Sequence, residues 1–93
     1  MDDDGPRYFL AHGPAFGRIL KKLNRDTALR TELDRGIEKI LKNPLLGKPL
    51  RHSMRKYRRI HIERSSVLLY EIQGFKVVLL DFDHHDRIYK KYS

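Results

Sequence analysis

Between residues 15 and 42 the apolar side chains recur every three or four positions: Phe16, Ile19, Leu20 and Leu23, then Leu29, Leu33, Ile37, Ile40 and Leu41. Beyond Gly47-Lys48-Pro49 they alternate instead. The first spacing marks one face of a helix and the second marks a strand. This one switch of period constrains the fold more than any other feature: two helices come first and a run of strands follows. Asn24-Arg25-Asp26 separates the helices, and Asp26 or Thr27 can cap the second. Gly36 interrupts that second helix at a cost of about 1 kcal/mol relative to Ala. Either it lets the first helix approach closely or it simply weakens the second. Asn43-Pro44 stops the helix. Two helices with so short a link should form an antiparallel hairpin.

The alternating half reads as three strands, at about 56–63, 66–73 and 75–83. Arg64-Ser65 makes the first turn, and Gln73-Gly74 makes a tight second one where glycine supplies a positive φ. Arg7 to His12 (RYFLAH) reads as a further short strand broken by Gly13-Pro14, and residues 1–6 as a disordered lead. The expected fold is α+β in the order β-α-α-β-β-β, a single domain over 7–93. It is an antiparallel twisted sheet with the helix hairpin on one face. Alternation then sorts the side chains. Ile60, Ile62, Val78, Leu80 and Phe82 point to the helices. Tyr57, Arg59, His61 and Glu63 share the opposite, solvent-open face with Val77, Leu79, Asp81, Asp83 and His85. A bulge would reverse part of this assignment.

Ninety-three residues suffice for one small core without a cofactor domain. The chain contains no cysteine, which removes disulfides and thiolate metal sites and suits a reducing cytoplasm. Its acidic start is not that of a signal peptide, and no apolar run approaches a membrane span. The formal charge is +8, and its location matters more than its size. From Lys39 to Ile62 there is no acidic residue, whereas Lys39, Lys42, Lys48, Arg51, Arg55, Lys56, Arg58 and Arg59 all lie there. Elsewhere 12 Lys and Arg balance 12 Asp and Glu. Charge concentrated in this way is an electrostatic footprint for a polyanion, set against the plainer reading of a solvated basic surface.

The closing stretch, DFDHHDRIYKK, crowds Asp81, Asp83, His84, His85, Asp86, Arg87 and Tyr89 together. A metal box is one reading, since Asp81, Asp83 and His85 share a face. Against it, neighbouring His84 and His85 on a strand point to opposite faces, so no metal is assigned. Acid–base cleavage of RNA is another reading. It needs a base for the 2′-hydroxyl, an acid for the leaving 5′-oxygen and positive charge around the phosphorane. Arg59, His61, His85 and Tyr89 can supply these roles without a cofactor. Arg51, Arg55, Lys56, Arg58, Arg64, Arg87 and Lys90 would hold the RNA. A third reading is binding alone. Tyr57, Tyr89 and Tyr92 could then offer stacking surfaces, the tail KKYS could dock to a partner, and Tyr70 and Phe75 belong to the core.

Taken together, the NPLLGKPLR helix exit, the strands YRRIHI and VLLYEI and the ending VVLLDFDHHDRIYKK resemble the RelE/StbE group of the RelE/ParE toxin superfamily. The resemblance runs from about Arg7 to Tyr92. It implies a cytoplasmic toxin of a type II toxin–antitoxin pair that enters the ribosome and cuts messenger RNA without a metal. It also implies a cognate antitoxin that wraps the toxin. Tyr89 falls on the tyrosine of the family's closing pattern, His85 falls on its leading basic position, and Arg58, Arg59 and His61 lie in its basic central strand. The chain departs from the family where Ser65-Ser66-Val67 replaces a Gly-x-Tyr-Arg stretch whose arginine belongs to the site. Arg64 is the only cation nearby. A ParE-like inhibitor of gyrase, or a binding protein that has lost its chemistry, stays open.

Overall fold

A computed structural model describes residues 8–92. The expected lead at 1–6 lies outside the described residues. The chain runs β1 (Phe9–His12), α1 (Pro14–Leu23), α2 (Thr27–Lys42), β2 (Lys48–Pro49), β3 (Tyr57–Ile62), β4 (Ser66–Gln73), β5 (Lys76–His84) and α3 (His85–Lys91), with 3-10 turns at Pro44–Leu46 and His52–Met54. The sheet order is β1-β5-β4-β3-β2. β3, β4 and β5 form the expected antiparallel meander, with Gly74 at φ 61° in its second turn. β1, however, joins β5 in parallel, so the sheet is mixed rather than wholly antiparallel. The long connection between them, through the helices and strands β2, β3 and β4, allows this parallel pairing. β2 and α3 are elements that the sequence reading did not contain.

The helices form where the period placed them. Asp26 caps α2, its carboxylate accepting the Leu29 N–H at 3.1 Å. Phe16, Leu33, Ile37 and Ile40 pack with Ile62, Leu68, Tyr70, Val77, Leu79 and Phe82 into one core. Gly36 does permit a close approach, but not of the first helix. A Cβ there would overlap the end of the Ile62 side chain and press on Ile60 at 3.3 Å. It is the sheet, not α1, that approaches α2 at this glycine.

The inward set of β5 is Val77, Leu79 and Phe82, in place of the expected Val78, Leu80 and Phe82. The register explains the change. Tyr70 pairs with Leu79 and Leu69 with Asp81, which leaves Leu80 as an extra residue. That bulge shifts the pleat by one position, so strict alternation fails on its N-terminal side and holds again beyond it. Phe75, expected in the core, is 60% exposed at the β4–β5 turn, where its ring meets Tyr8 at 5.8 Å.

A buried hydroxyl fixes the exit from α2. Tyr70 donates to the Pro44 carbonyl at 2.6 Å and accepts the Gly47 N–H at 2.8 Å. Burial pushes its phenol above the ordinary value, against the opposing pull of the Gly47 N–H and the Arg58 charge. Gly47 must be glycine because a Cβ would meet the Tyr70 hydroxyl and ring. Tyr70→Phe strands two buried backbone groups and should cost about 1–3 kcal/mol in urea denaturation. Gly47→Ala, which forces the ring from a closed core, should cost at least as much. Equal midpoints for Tyr70→Phe and wild type would remove the latch as a source of stability.

Candidate functional site

β4 is buried on both faces. Leu68 and Tyr70 point into the core beneath α1 and α2, whereas Val67 and Leu69, also fully buried, point the other way. What covers Val67 and Leu69 is α3, which packs on β4 and β5 and buries Ile88 completely. The face expected to be open is therefore closed along its centre. The strand ends at His84, and the helix begins one residue later. The His84 Nδ1 accepts the Asp86 N–H at 3.2 Å as its cap, and the His85 N–H donates to the Ser65 carbonyl at 2.8 Å. His85 and Tyr89 are helical residues one turn apart, not strand residues.

Side chains of this helix reach those of β3 in a definite order. The Tyr92 ring meets the edge of Tyr57 at 6.3 Å, and the Arg59 guanidinium carbon lies 5.7 Å from the centre of the Tyr89 ring. The His85 ring is 6.1 Å from that of Tyr89. His61 lies two residues beyond Arg59, paired with Val67, toward the β3–β4 turn to which His85 is bonded. Arg59, His85 and Tyr89 thus meet along one rim between β3 and α3, and His61 stands two residues beyond Arg59 on the same face of β3. Tyr89 is 40% exposed and His61 is exposed, so a ligand reaches both. The cation over the tyrosine face is a favourable pairing that also holds the ring in place.

The basic residues separate into groups. Arg58 pairs with Tyr70 and points toward the helix-bearing side, where its guanidinium donates to the carbonyls of Gly47 at 2.6 Å and Leu45 at 3.4 Å. It fastens the exit of α2 and does not share the rim, as alternation alone requires. Arg51, Arg55 and Lys56 are exposed on the irregular segment before β3, and Lys56 reaches over the Tyr57 ring at 5.3 Å. Arg64 is exposed in the β3–β4 turn. Lys90 is exposed on α3, and Arg87 pairs with Asp83 at 3.0 Å.

The bend at the helix start brings the His84 and His85 rings into a stack at 4.4 Å, so the two do not stand on opposite faces as expected for strand neighbours. With Asp86 they offer donor atoms within 4.8 Å of one another, a set that could take a divalent ion. The Asp86 carboxylate lies 3.0 Å from His85 Nδ1. Asp83 plays a charge-balancing part. Burial works against its ionisation, but the His84 N–H, Arg87 and Lys91 outweigh this and hold the carboxyl below its ordinary range. On the far side of α3 a cleft of about 620 Å³ runs between α1 and α3, lined by Leu23, Leu29, Asp83, His84, Arg87 and Lys91. It does not include the rim.

Ile88 and Lys91 belong to this region without having been singled out from the sequence, and Asp81, placed on this face there, was weighed only as a metal ligand. The sequence reading also took the tail as free to dock elsewhere, whereas Lys91 and Tyr92 both bind Asp81 of the same chain at 2.9 Å. The spacing of Ile88, Tyr89 and Tyr92 is helical and was the available signal.

Comparison with known proteins places this arrangement. A family profile described as the ParE toxin of the type II toxin–antitoxin system, parDE, matches residues 13–89. A Methanocaldococcus jannaschii protein carrying the toxin name RelE4 is 40% identical over 81 residues, 84% of this chain and 86% of that protein. In the toxin–antitoxin complex RelBE2 of Mycobacterium tuberculosis, one chain is 30% identical with a TM-score of 0.66, covering 85% of this chain and 99% of its own. A YoeB/ParE toxin from Agrobacterium tumefaciens shares the fold with a TM-score of 0.74 at 16% identity, over 83% of this chain and 98% of that one. With the profile spanning most of the chain and a relative at that identity, the chain belongs to the ParE toxin family of type II toxin–antitoxin systems, within the RelE/ParE superfamily.

Proposed function

We propose that this toxin is a ribosome-dependent endoribonuclease that inhibits translation by cutting messenger RNA in the cytoplasm. The observation that carries this reading is the rim itself. A cation, a phenol and an imidazole lie side by side on a basic molecule, with Arg59 against Tyr89 and His85 beside it, and His61 shares their face of β3. Cleavage by this set needs no group from outside the chain. One of His61 and His85 takes the proton of the 2′-hydroxyl, whose oxygen attacks the adjacent phosphorus. The bond to the 5′-oxygen breaks, and that oxygen leaves with a proton from Tyr89 or the other imidazole. The products are a 2′,3′-cyclic phosphate and a 5′-hydroxyl. Arg59 offsets the extra negative charge of the phosphorane. Arg51, Arg55 and Lys56 extend the positive surface along the RNA, with Arg64, Arg87 and Lys90 at its margins. The toxin's protein partner is a cognate antitoxin, as the name of the Mycobacterium tuberculosis complex supports.

A second reading, inhibition of DNA gyrase, draws on the ParE description of the matching profile and on Ser65-Ser66-Val67, where RelE-like chains place an arginine. The two separate cleanly. Purified toxin added to programmed ribosomes should cut within the codon of the A site. Intact message, together with loss of supercoiling by gyrase, would replace the first reading by the second. Tyr89→Phe and His85→Ala should each slow cutting by about 10²–10⁴-fold, the usual contribution of a proton-transfer group, with unchanged melting. Rates equal to wild type would take those residues out of the mechanism.

The basic segment makes its own prediction. If Arg51, Arg55 and Lys56 each meet a phosphate, replacing all three by Ala should reduce the slope of log affinity against log salt for single-stranded RNA by about 2. A filter-binding titration at several salt concentrations measures it, and an unchanged slope would place the RNA elsewhere.

A further inference from the structure

We propose that Asp81 is a positioning residue: by clamping the C-terminal end of α3 it holds Tyr89 against Arg59. Its catalytic consequence rests on the cleavage reading above, whereas the clamp itself does not. A helix of seven residues has no stability of its own, so its placement comes from its contacts. At its start the His85 N–H is bonded to the β3–β4 turn, and at its middle Ile88 is buried. At its end the shortest contacts converge on one carboxylate, with Asp83 more distant at 3.9 Å from the Lys91 ammonium. Asp81 Oδ2 receives the Lys91 ammonium at 2.9 Å and the Tyr92 hydroxyl at 2.9 Å, while Oδ1 accepts the Phe82 N–H at 2.8 Å.

Asp81 is only 6% exposed, in a strand whose neighbours are Leu80 and Phe82. An apolar side chain would cost less there, because a buried carboxylate must be fully paired to be tolerated. Its pairing is spent entirely on the last turn of α3 and on its own strand. Tyr92 carries the clamp back to the site, since it lies three residues after Tyr89 on the same side of the helix and its ring packs on Tyr57. Burial, with Asp81 beside it, pushes the Tyr92 hydroxyl up to about 12, so it remains a donor throughout the physiological range. Tyr57 and Arg59 alternate along β3 on the same face, and Tyr92 and Tyr89 face them in the same order. Loosening the last turn therefore releases both pairs together.

The test uses the full chain with Asp81→Asn, which keeps shape and one acceptor, and Tyr92→Phe, which removes only a hydroxyl and protects the experiment if Asp81→Asn fails to fold. Amide hydrogen exchange of residues 88–92 is followed beside ribosomal cleavage. Both variants should exchange about tenfold faster in α3 with β4 and β5 unaltered. The kcat should fall by about 10–100-fold, the scale expected when a reacting group is misplaced by an ångström, with KM within about twofold. The double variant should be no worse than Asp81→Asn alone, because both act through one contact. Unchanged exchange in α3 overturns the clamp, and faster exchange with an unchanged kcat overturns its positioning role. If the wild type leaves message intact, the cleavage reading fails by itself. Exchange in α3 then still decides the clamp in either direction.

Discussion

Four consecutive residues of β4, Val67 to Tyr70, are fully buried, and the rest of the molecule follows from that. A strand with both faces buried needs cover on both sides of the sheet. The α1–α2 hairpin provides one cover, over Leu68 and Tyr70. The other has to come from what remains of the chain, and the seven residues of α3, about two turns, supply it. The element that closes the second face is therefore also the element that carries Tyr89 and His85. Packing and chemistry are not separable at this end of the molecule, because the helix that displays the candidate catalytic groups owes its existence to the apolar surface beneath it.

Adjacent cations on β3 show how the pleat divides labour. Arg58 turns toward the helix side and binds the carbonyls that follow α2, close to the Tyr70 hydroxyl that fixes the same segment. Arg59 turns the other way and meets Tyr89. One residue of shift would exchange an anchoring guanidinium for a site guanidinium. Register is thus under two constraints at once, the hydrophobic pattern of Ile60 and Ile62 and the latch at Pro44–Gly47. The bulge at Leu80 belongs to the same logic. It lets Val77 and Leu79 face the helices at one end of β5, while Phe82 does so at the other, leaving Asp81 and Asp83 on the side of α3.

Membership of a toxin family fits a surface organised in this way. Arg51, Arg55 and Lys56 stand exposed on the irregular segment before β3, while two carboxylates beside α3 are paired within the chain. Asp83 binds Arg87, and Asp81 binds Lys91 and Tyr92. Among the described residues no helix is long and apolar enough to cross a membrane.

The sequence by itself determined the two-helix hairpin, the three-strand meander, the gathering of cations between residues 39 and 62, and the face shared by Arg59 and His61. Each of these rests on local periodicity or on simple counting, and short-range sterics enforce both periods. Tertiary structure alone decided the rest. A one-residue bulge has no signature in a run of apolar residues such as VVLL, yet it inverts half a strand. The parallel entry of β1 depends on which sheet edge is free once β5 is in place. The closing DFDHHDRIYKK could extend β5 or turn into a helix on local preference, and the uncovered Val67 and Leu69 select the helix. That choice stacks the two histidines that alternation had separated and binds the tail to Asp81. It also brings Tyr89 to Arg59, because burying the second face of β4 outweighs any preference the last residues hold on their own.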